Sequence, residues 1–166
     1  MTPSFLLDTN VLSNLRRRRW HPSLAAWLEA APPASLWISV VTIAEIQDGI
    51  CRVNDSAVAA SVQLWLDGLL REERFRIVEL GTNAALVLGR MWAARPLRDL
   101  FRSDPRSPEI SNGADLAIAA TAIAQEMVMV TGNIADFQRI HALFPLPGLY
   151  DPFQAFWFVE QGILPN

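Results

Sequence analysis

The chain has 166 residues, 51% of them hydrophobic, which is enough to build one globular domain with a buried core. Its net charge of −3 gives no general attraction for polyanions, so any contact with nucleic acid must come from local basic patches. All 14 basic residues are arginine, and the lack of lysine excludes a Walker-type phosphate loop and Schiff-base chemistry. A single cysteine excludes an internal disulfide.

The sequence carries no predicted membrane element. No apolar run reaches the roughly 20 residues that a bilayer-spanning helix needs. The N-terminal stretch MTPSFLLDTN has neither the basic region nor the long apolar region of a secretory signal. We therefore expect a cytoplasmic protein without membrane contact.

The first half of the chain alternates between short apolar strands and helices. Its first apolar run ends at Asp8 and predicts a buried strand that breaks into a loop or a helix start. Pro22 opens a short helix, because proline fits the first turn, and Asp55 caps a later helix. The strands predicted here cover residues 4–7, 36–39 and 75–80, and the helices cover residues 22–30, 40–52 and 56 to about 69.

The second half continues this alternation. Thr82 and Asn83 are predicted to cap a helix that runs to about residue 94. The stretch 111–113, which ends at Gly113, is predicted to cap the most hydrophobic helix. Between these helices lies a loop, or a short helix between loops. The remaining predictions are a helix over 114–125, a strand over 128–130, a tight turn over 131–133, a short helix over 134–140 and a last strand within 148–152. Strands alternating with helices predict one α/β domain, with a parallel sheet of about four to five strands and helices on both faces.

Four separated acidic residues stand where such a fold collects ligands, at the carboxyl ends of its strands. Asp8 follows the first strand, and Asp136 follows the strand at 128–130. Glu45 lies in the helix after the second strand, and Asp115 lies in the first turn of the helix before the fourth. Crowded carboxylates repel one another unless a cation offsets the repulsion, and Mg²⁺ and Mn²⁺ prefer oxygen ligands. We therefore expect a metal site that activates water against a phosphodiester.

Each acid also has a purely structural interpretation. Asp8 alone is equally well explained as a helix cap or turn residue, Asp115 as a charge matched to its helix dipole, and Asp136 as a turn residue. Glu45 is hardest to explain in this way, because its helix is strongly apolar and a charge there is costly unless it is paired or bound to metal. Taken singly, the acids leave both interpretations open.

A run of four arginines, followed by Trp20, comes shortly after the Asp8 loop. Such a run is either a solvated face or a nucleic-acid contact, and the adjacent tryptophan keeps the second interpretation open. The arginines concerned are Arg16, Arg17, Arg18 and Arg19.

The stretches FLLDTNVLSNL, SVVTIAEIQDGI, ADLAIAATAIA and VTGNIADF resemble successive motifs of the PIN-domain superfamily, and most closely those of its VapC/FitB-like branch of type II toxin ribonucleases. The resemblance runs from about residue 5 to residue 152. It implies a Rossmann-like PIN fold, a Mg²⁺- or Mn²⁺-dependent endoribonuclease activity on RNA, a cognate antitoxin partner and a homodimer. The residues implied as acidic ligands are Asp8, Glu45, Asp115 and Asp136, and the implied supporting polar residues are Thr9, Asn10, Thr131 and Asn133.

The chain departs from that pattern in three regions. Gly132 stands where many relatives have an arginine, so a possible phosphate contact is absent. Residues 1–152 are expected to form the PIN domain, and the aromatic extension at 153–166 is expected to pack on it or to bind a partner. The segment at 95–112 is longer than usual.

Two other functions compete with a metal-dependent ribonuclease. One is a phosphatase that uses Asp8, although Asn10 stands where a haloacid-dehalogenase-like pattern wants a second aspartate. The other is a catalytically silent PIN-like module that binds RNA or protein without metal. Metal-dependent cleavage that is lost on Asp8→Asn would separate the ribonuclease from both.

Overall fold

The computed structural model of the chain describes residues 3–32, 34–101 and 113–160. Within these ranges six strands form one sheet. The strands are β1 Phe5–Leu7, β2 Leu36–Ser39, β3 Phe75–Val78, β4 Val128–Val130, β5 Leu149–Asp151 and β6 Phe156–Val159. The α-helices are α1 Thr9–Leu15, α2 Pro22–Ala30, α3 Val40–Cys51, α4 Ser56–Leu69, α5 Thr82–Ala93, α6 Ala114–Ala124 and α7 Ile134–Leu143, and a 3₁₀ helix covers Arg95–Leu100.

The sheet has the order β3-β2-β1-β4-β5-β6. Strands β1 to β5 are parallel, and β6 runs antiparallel to β5. The order reverses between β1 and β4, where Leu7 pairs with Val130. In open α/β sheets such a reversal creates a crevice at the carboxyl ends of the strands. The residues that leave β1 and β4 therefore enter the same crevice.

Hydrophobic cores lie on the two faces of the sheet. Successive side chains of a strand point to opposite faces, and along β1 Leu6 enters one core whereas Leu7 enters the other. The Leu6 core packs against α5, α6 and α7 and contains the fully buried Phe137. Because both faces are covered, every residue of β1 and β4 is apolar and buried. The two strands that border the crevice are thus held firmly.

The predicted α/β class is confirmed, but the sheet has six described strands rather than four to five. The additional strand, β6, lies in the segment that the sequence assigned to an aromatic extension. Trp157 packs on one core, whereas Phe158 and Val159 pack on the other. In addition, Thr82 is the first helical residue of α5 rather than its cap, and the cap is Gly81. The predictions on residues 102–112 and 161–166 lie outside the described residues.

No helix among the described residues is both long enough and apolar enough to cross a membrane.

Gly113, the residue that caps α6, adopts a left-handed backbone with φ of 73°. A Cβ there would approach Phe101 Cβ to 3.0 Å. We expect Gly113→Ala to lower the free energy of unfolding by about 1–2 kcal/mol, since this backbone is unfavourable for alanine. Gly89, inside α5, has open space around it, so Gly89→Ala should raise that free energy by about 0.5–1 kcal/mol. Urea denaturation measures both, and a change of the same sign in the two variants would contradict the assignment.

Candidate active site

Asp8 lies at the centre of the crevice. It is the N-cap of α1, and its side chain is only 3% exposed. One carboxylate oxygen, Oδ1, accepts from the backbone N–H of Thr9 at 2.8 Å. The other, Oδ2, accepts from Thr131 Oγ1 at 2.7 Å and from the side-chain amide of Asn10. Asp8 therefore caps a helix and at the same time joins the ends of β1 and β4.

Thr131 and Asn10 extend this network along the carboxyl edge. Asn10 Nδ2 donates to Thr131 Oγ1 at 3.0 Å, and the backbone N–H of Asn133 donates to the same hydroxyl oxygen at 2.8 Å. The backbone N–H of Gly132 donates to Asn10 Oδ1 at 2.9 Å. These hydrogen bonds connect the loop that leaves β4 to the first turn of α1, and together they fix the orientation of the Asp8 carboxylate.

The other three acids are also held by polar neighbours. Thr9 Oγ1 donates to Glu45 Oε2. Asn133 Nδ2 donates to Asp115 Oδ2 at 3.0 Å and to Asp136 Oδ2 at 3.1 Å, so one amide spans two carboxylates. The four residues expected to support the site, Thr9, Asn10, Thr131 and Asn133, are those that make these hydrogen bonds.

Burial and mutual repulsion raise the pKa values of two of the acids. Burial, assisted by the charge of Glu45, raises the pKa of Asp8 to about 6, although its hydrogen bonds from Thr131 and Thr9 act in the other direction. Burial raises the pKa of Asp115 to about 7, followed by repulsion from Asp8, Glu45 and Asp136. The four predicted acids are therefore electrostatic neighbours, with Asp115 repelled by each of the others.

Arg139 is a site neighbour that the sequence reasoning missed. Its guanidinium bonds both carboxylate oxygens of Asp99, at 2.7 and 2.9 Å, and the carbonyl oxygen of Pro96 at 2.9 Å. It also donates to Asp136 Oδ1 at 3.3 Å. The signal was available, because an Asp and an Arg three residues apart on a helix face each other. This arginine links the 3₁₀ helix to the acid on α7.

The arginine run lies in the turn between α1 and α2, and all four of its members are exposed. Arg16 lines a cavity of about 220 Å³ together with Thr9 and Glu45, so this arginine stands at the rim of the site. Trp20 is 44% exposed and donates its indole N–H to the carbonyl oxygen of Leu15. The structure connects Arg16 to the acids, whereas Arg17, Arg18 and Arg19 are solvated.

Among residues 3–32, 34–101 and 113–160, no three His, Cys, Asp or Glu side chains form a ready-made metal cluster. A second cavity, of about 340 Å³, opens on the other side of Glu45 between α3, α5 and α6. The two cavities beside Glu45 leave room for waters and a substrate.

The fold and the site define an open α/β protein whose acidic residues lie where the strand order reverses, between β1 and β4. Residues 5–143 match the family model of the PIN domain, and the chain belongs to that family. It is similar to the VapC ribonuclease Y4jK of Sinorhizobium fredii, with 27% identity over 134 residues, which are 80% of this chain and 89% of that protein.

Solved structures share this fold. The DNA-bound VapBC from Salmonella typhimurium matches with a TM-score of 0.65 and 20% identity, covering 90% of this chain and 98% of that one. The VapBC-1 structure from nontypeable Haemophilus influenzae matches with a TM-score of 0.61 and 23% identity, covering 89% and 97% respectively.

Asp115 should make the stability of the metal-free protein depend on pH. Its pKa of about 7 in the folded protein lies above the ordinary 3.8, so between these values the folded state binds more protons than the unfolded state. Stability therefore falls as the pH rises from about 4 to about 7. We expect Asp115→Asn to raise the free energy of unfolding by about 1–3 kcal/mol at pH 8 and to change it little at pH 4.

Urea denaturation in EDTA at the two pH values measures this effect. Asp48→Asn is a matched control, because Asp48 is an exposed acid on α3 that pairs only with Arg52 among the described residues. It should change the free energy of unfolding by about 0.5 kcal/mol or less at either pH. No gain for Asp115→Asn at pH 8 would show that its carboxylate is not repelled in the folded protein.

Proposed function

We propose that this chain is a metal-dependent endoribonuclease, the toxin of a toxin–antitoxin pair, and that Asp8, Glu45, Asp115 and Asp136 hold its Mg²⁺ or Mn²⁺. The observation that carries the proposal is the convergence of these four carboxylates around Asp115 at the carboxyl edge of a PIN fold. The similarity to a protein named VapC ribonuclease supports RNA as the substrate.

The donor set fits a hard divalent cation. Carboxylate oxygens are the ligands that Mg²⁺ and Mn²⁺ prefer, and Mg²⁺ binds through one or two carboxylates while it keeps several waters. Positive charge would also offset the repulsion that raises the pKa of Asp115. When bound, the cation supplies activation of water and stabilisation of charge on the scissile phosphate.

The chain's own residues orient the ligands. Thr131 and Asn10 hold Asp8 through Oδ2, which leaves Oδ1 bonded only to the helix start. Thr9 fixes Glu45, and Asn133 fixes the other two acids. Such outer hydrogen bonds set ligand orientation, and their loss commonly costs 10- to 100-fold in activity or metal affinity.

The arginine run is proposed to contact RNA. Arg16 lies on the rim of the acidic site, and Arg17, Arg18 and Arg19 continue from it along an exposed turn. Local positive charge is required for this purpose, because the net charge of the chain is −3. The backbone of a single strand would pass along this turn into the acidic centre.

We further propose an antitoxin partner, a homodimeric state and a cytoplasmic location. Structures named VapBC, including one from Salmonella typhimurium, match this chain over nearly their whole length, which supports a protein partner of that class. Residues 1–152 would form the PIN domain, and residues 153–166 an extension that packs on it or binds a partner.

The decisive experiment is RNA cleavage by the purified protein. We expect cleavage with Mg²⁺ or Mn²⁺ and none in EDTA. Asp8→Asn and Glu45→Gln should each lower the rate at least roughly a hundredfold, because each removes a charged ligand. Circular dichroism should show that both variants fold, and expression of the wild type, but not of Asp8→Asn, should arrest growth.

Asp48→Asn is again the matched control for Glu45→Gln, since Asp48 lies on the same helix and lines the same cavity. It should retain cleavage within about twofold of the wild type. RNA binding without cleavage, unaffected by metal, would favour the silent binding module. Release of phosphate from small phosphoesters, without RNA cleavage, would favour the phosphatase.

A further inference from the structure

Phe153 lies against Gly132 in the loop that leaves β4. A Cβ added to Gly132 would stand 2.8 and 2.9 Å from the ring atoms Cε2 and Cδ2 of Phe153. Real Cβ atoms do not approach other atoms this closely, so the ring occupies the space that a side chain at position 132 would need. The contact joins the C-terminal extension to the acidic site.

The position of Phe153 is set by a buried carboxylate. Asp151, which is 2% exposed, accepts from the backbone N–H of Phe153 at 2.8 Å and of Gln154 at 3.1 Å through Oδ1. These bonds hold the turn between β5 and β6. On its other side the Phe153 ring meets His21 edge to face, with the ring centroids 5.6 Å apart. The ring is thus fixed from two directions before any substrate binds.

Gly132 has a defined role in the site. Its backbone N–H donates to Asn10 Oδ1 at 2.9 Å. That bond orients the Asn10 amide, whose Nδ2 donates to Asp8 Oδ2 and to Thr131 Oγ1. This hydrogen bond is exposed to solvent, so it depends on the packing of its loop rather than on shielding from water. The Phe153 ring packs against Gly132 and limits the movement of that loop, and it therefore favours the amide orientation that Asp8 requires.

We propose that Phe153 is a positioning residue of the acidic site, which acts through Gly132 and Asn10 to hold the Asp8 carboxylate. The proposal deepens the ribonuclease function and rests on it. It also accounts for glycine at position 132, because the ring and a side chain cannot occupy the same space. The C-terminal extension thereby becomes part of the machinery that aligns the site.

The first test is independent of activity. Amide hydrogen exchange is measured by NMR in the metal-free protein for the wild type, Phe153→Ala and Phe156→Ala. We expect the Gly132 amide to exchange about tenfold faster in Phe153→Ala and to be unchanged in Phe156→Ala, because Phe156 is exposed at the far side of the turn. The Thr131 amide, bonded to the carbonyl oxygen of Tyr150 in the sheet, should stay protected in both variants and so exclude global loosening.

The second test separates positioning from substrate binding. Phe153→Ala should lower kcat for RNA cleavage about 10- to 100-fold with KM changed less than about twofold. Gly132→Ala should lower kcat similarly, and the double variant should lose less than the product of the two single effects, since the clash is then absent. If Phe153→Ala does not fold, Phe153→Leu, which keeps an apolar side chain, takes its place.

Two results would overturn the proposal. One is an unchanged Gly132 exchange rate in a folded Phe153 variant. The other is a rise in KM with kcat intact, which would make Phe153 an RNA-contact residue. If the wild type cleaves no RNA, the proposed function fails, whereas the exchange experiment still shows whether Phe153 holds the Gly132–Asn10 bond.

Discussion

Mutual repulsion among partly buried carboxylates is the constraint that the rest of this site must satisfy. Asp8 is almost fully buried, and Asp115 is repelled by three other acids, so folding places negative charge where water screens it poorly. Such an arrangement opposes stability, and a domain of this size keeps it only if the surrounding structure is strong enough. The buried strands β1 and β4 and the cores on both faces of the sheet provide that strength. The repulsion that remains would be relieved by a bound cation, so it favours cation binding at the site.

Hydrogen bonds at the carboxyl edge of the sheet hold the acidic side chains in defined positions despite their repulsion. Because Leu7 and Val130 are paired across β1 and β4, the next residues, Asp8 and Thr131, emerge side by side and bond directly. A shift of this register by one residue would send each of them to the opposite face of the sheet. Asn133 performs the same task between α6 and α7. Neutral donors, rather than cations, therefore bond to most of the four acids. Among the described arginines, Arg139 alone pairs with one of them.

The sequence indicated that the acids could share one edge, because strand ends and helix starts can be recognised from local patterns, but it could not fix the strand order that brings them together. Asp8 follows an unbroken apolar run, and Asp115 follows a glycine that starts a helix; their role as metal ligands stays a prediction. The sequence did not predict strand β6, because the short aromatic run FWFV fits a strand as well as it fits a segment that covers a core edge or binds a partner. In the folded chain Trp157 packs on one core and Phe158 on the other. This packing depends on residues distant in sequence, so no local pattern predicts it. The contact of Phe153 with Gly132 joins residues far apart in sequence, and for the same reason only the folded chain reveals it.

The turn between β5 and β6 adds a strand to the sheet and also places Phe153 against Gly132. A parallel sheet that ended at β5 would leave a row of unpaired backbone groups at its edge, and β6 pairs with them. The turn that makes this pairing possible is held by Asp151 and brings Phe153 over Gly132. An arginine at position 132 would have to displace that ring, so the Phe153 contact is compatible with glycine at this position and not with a larger side chain. His21, which meets the Phe153 ring, follows the arginine run, and the first member of that run, Arg16, lines a cavity together with Glu45.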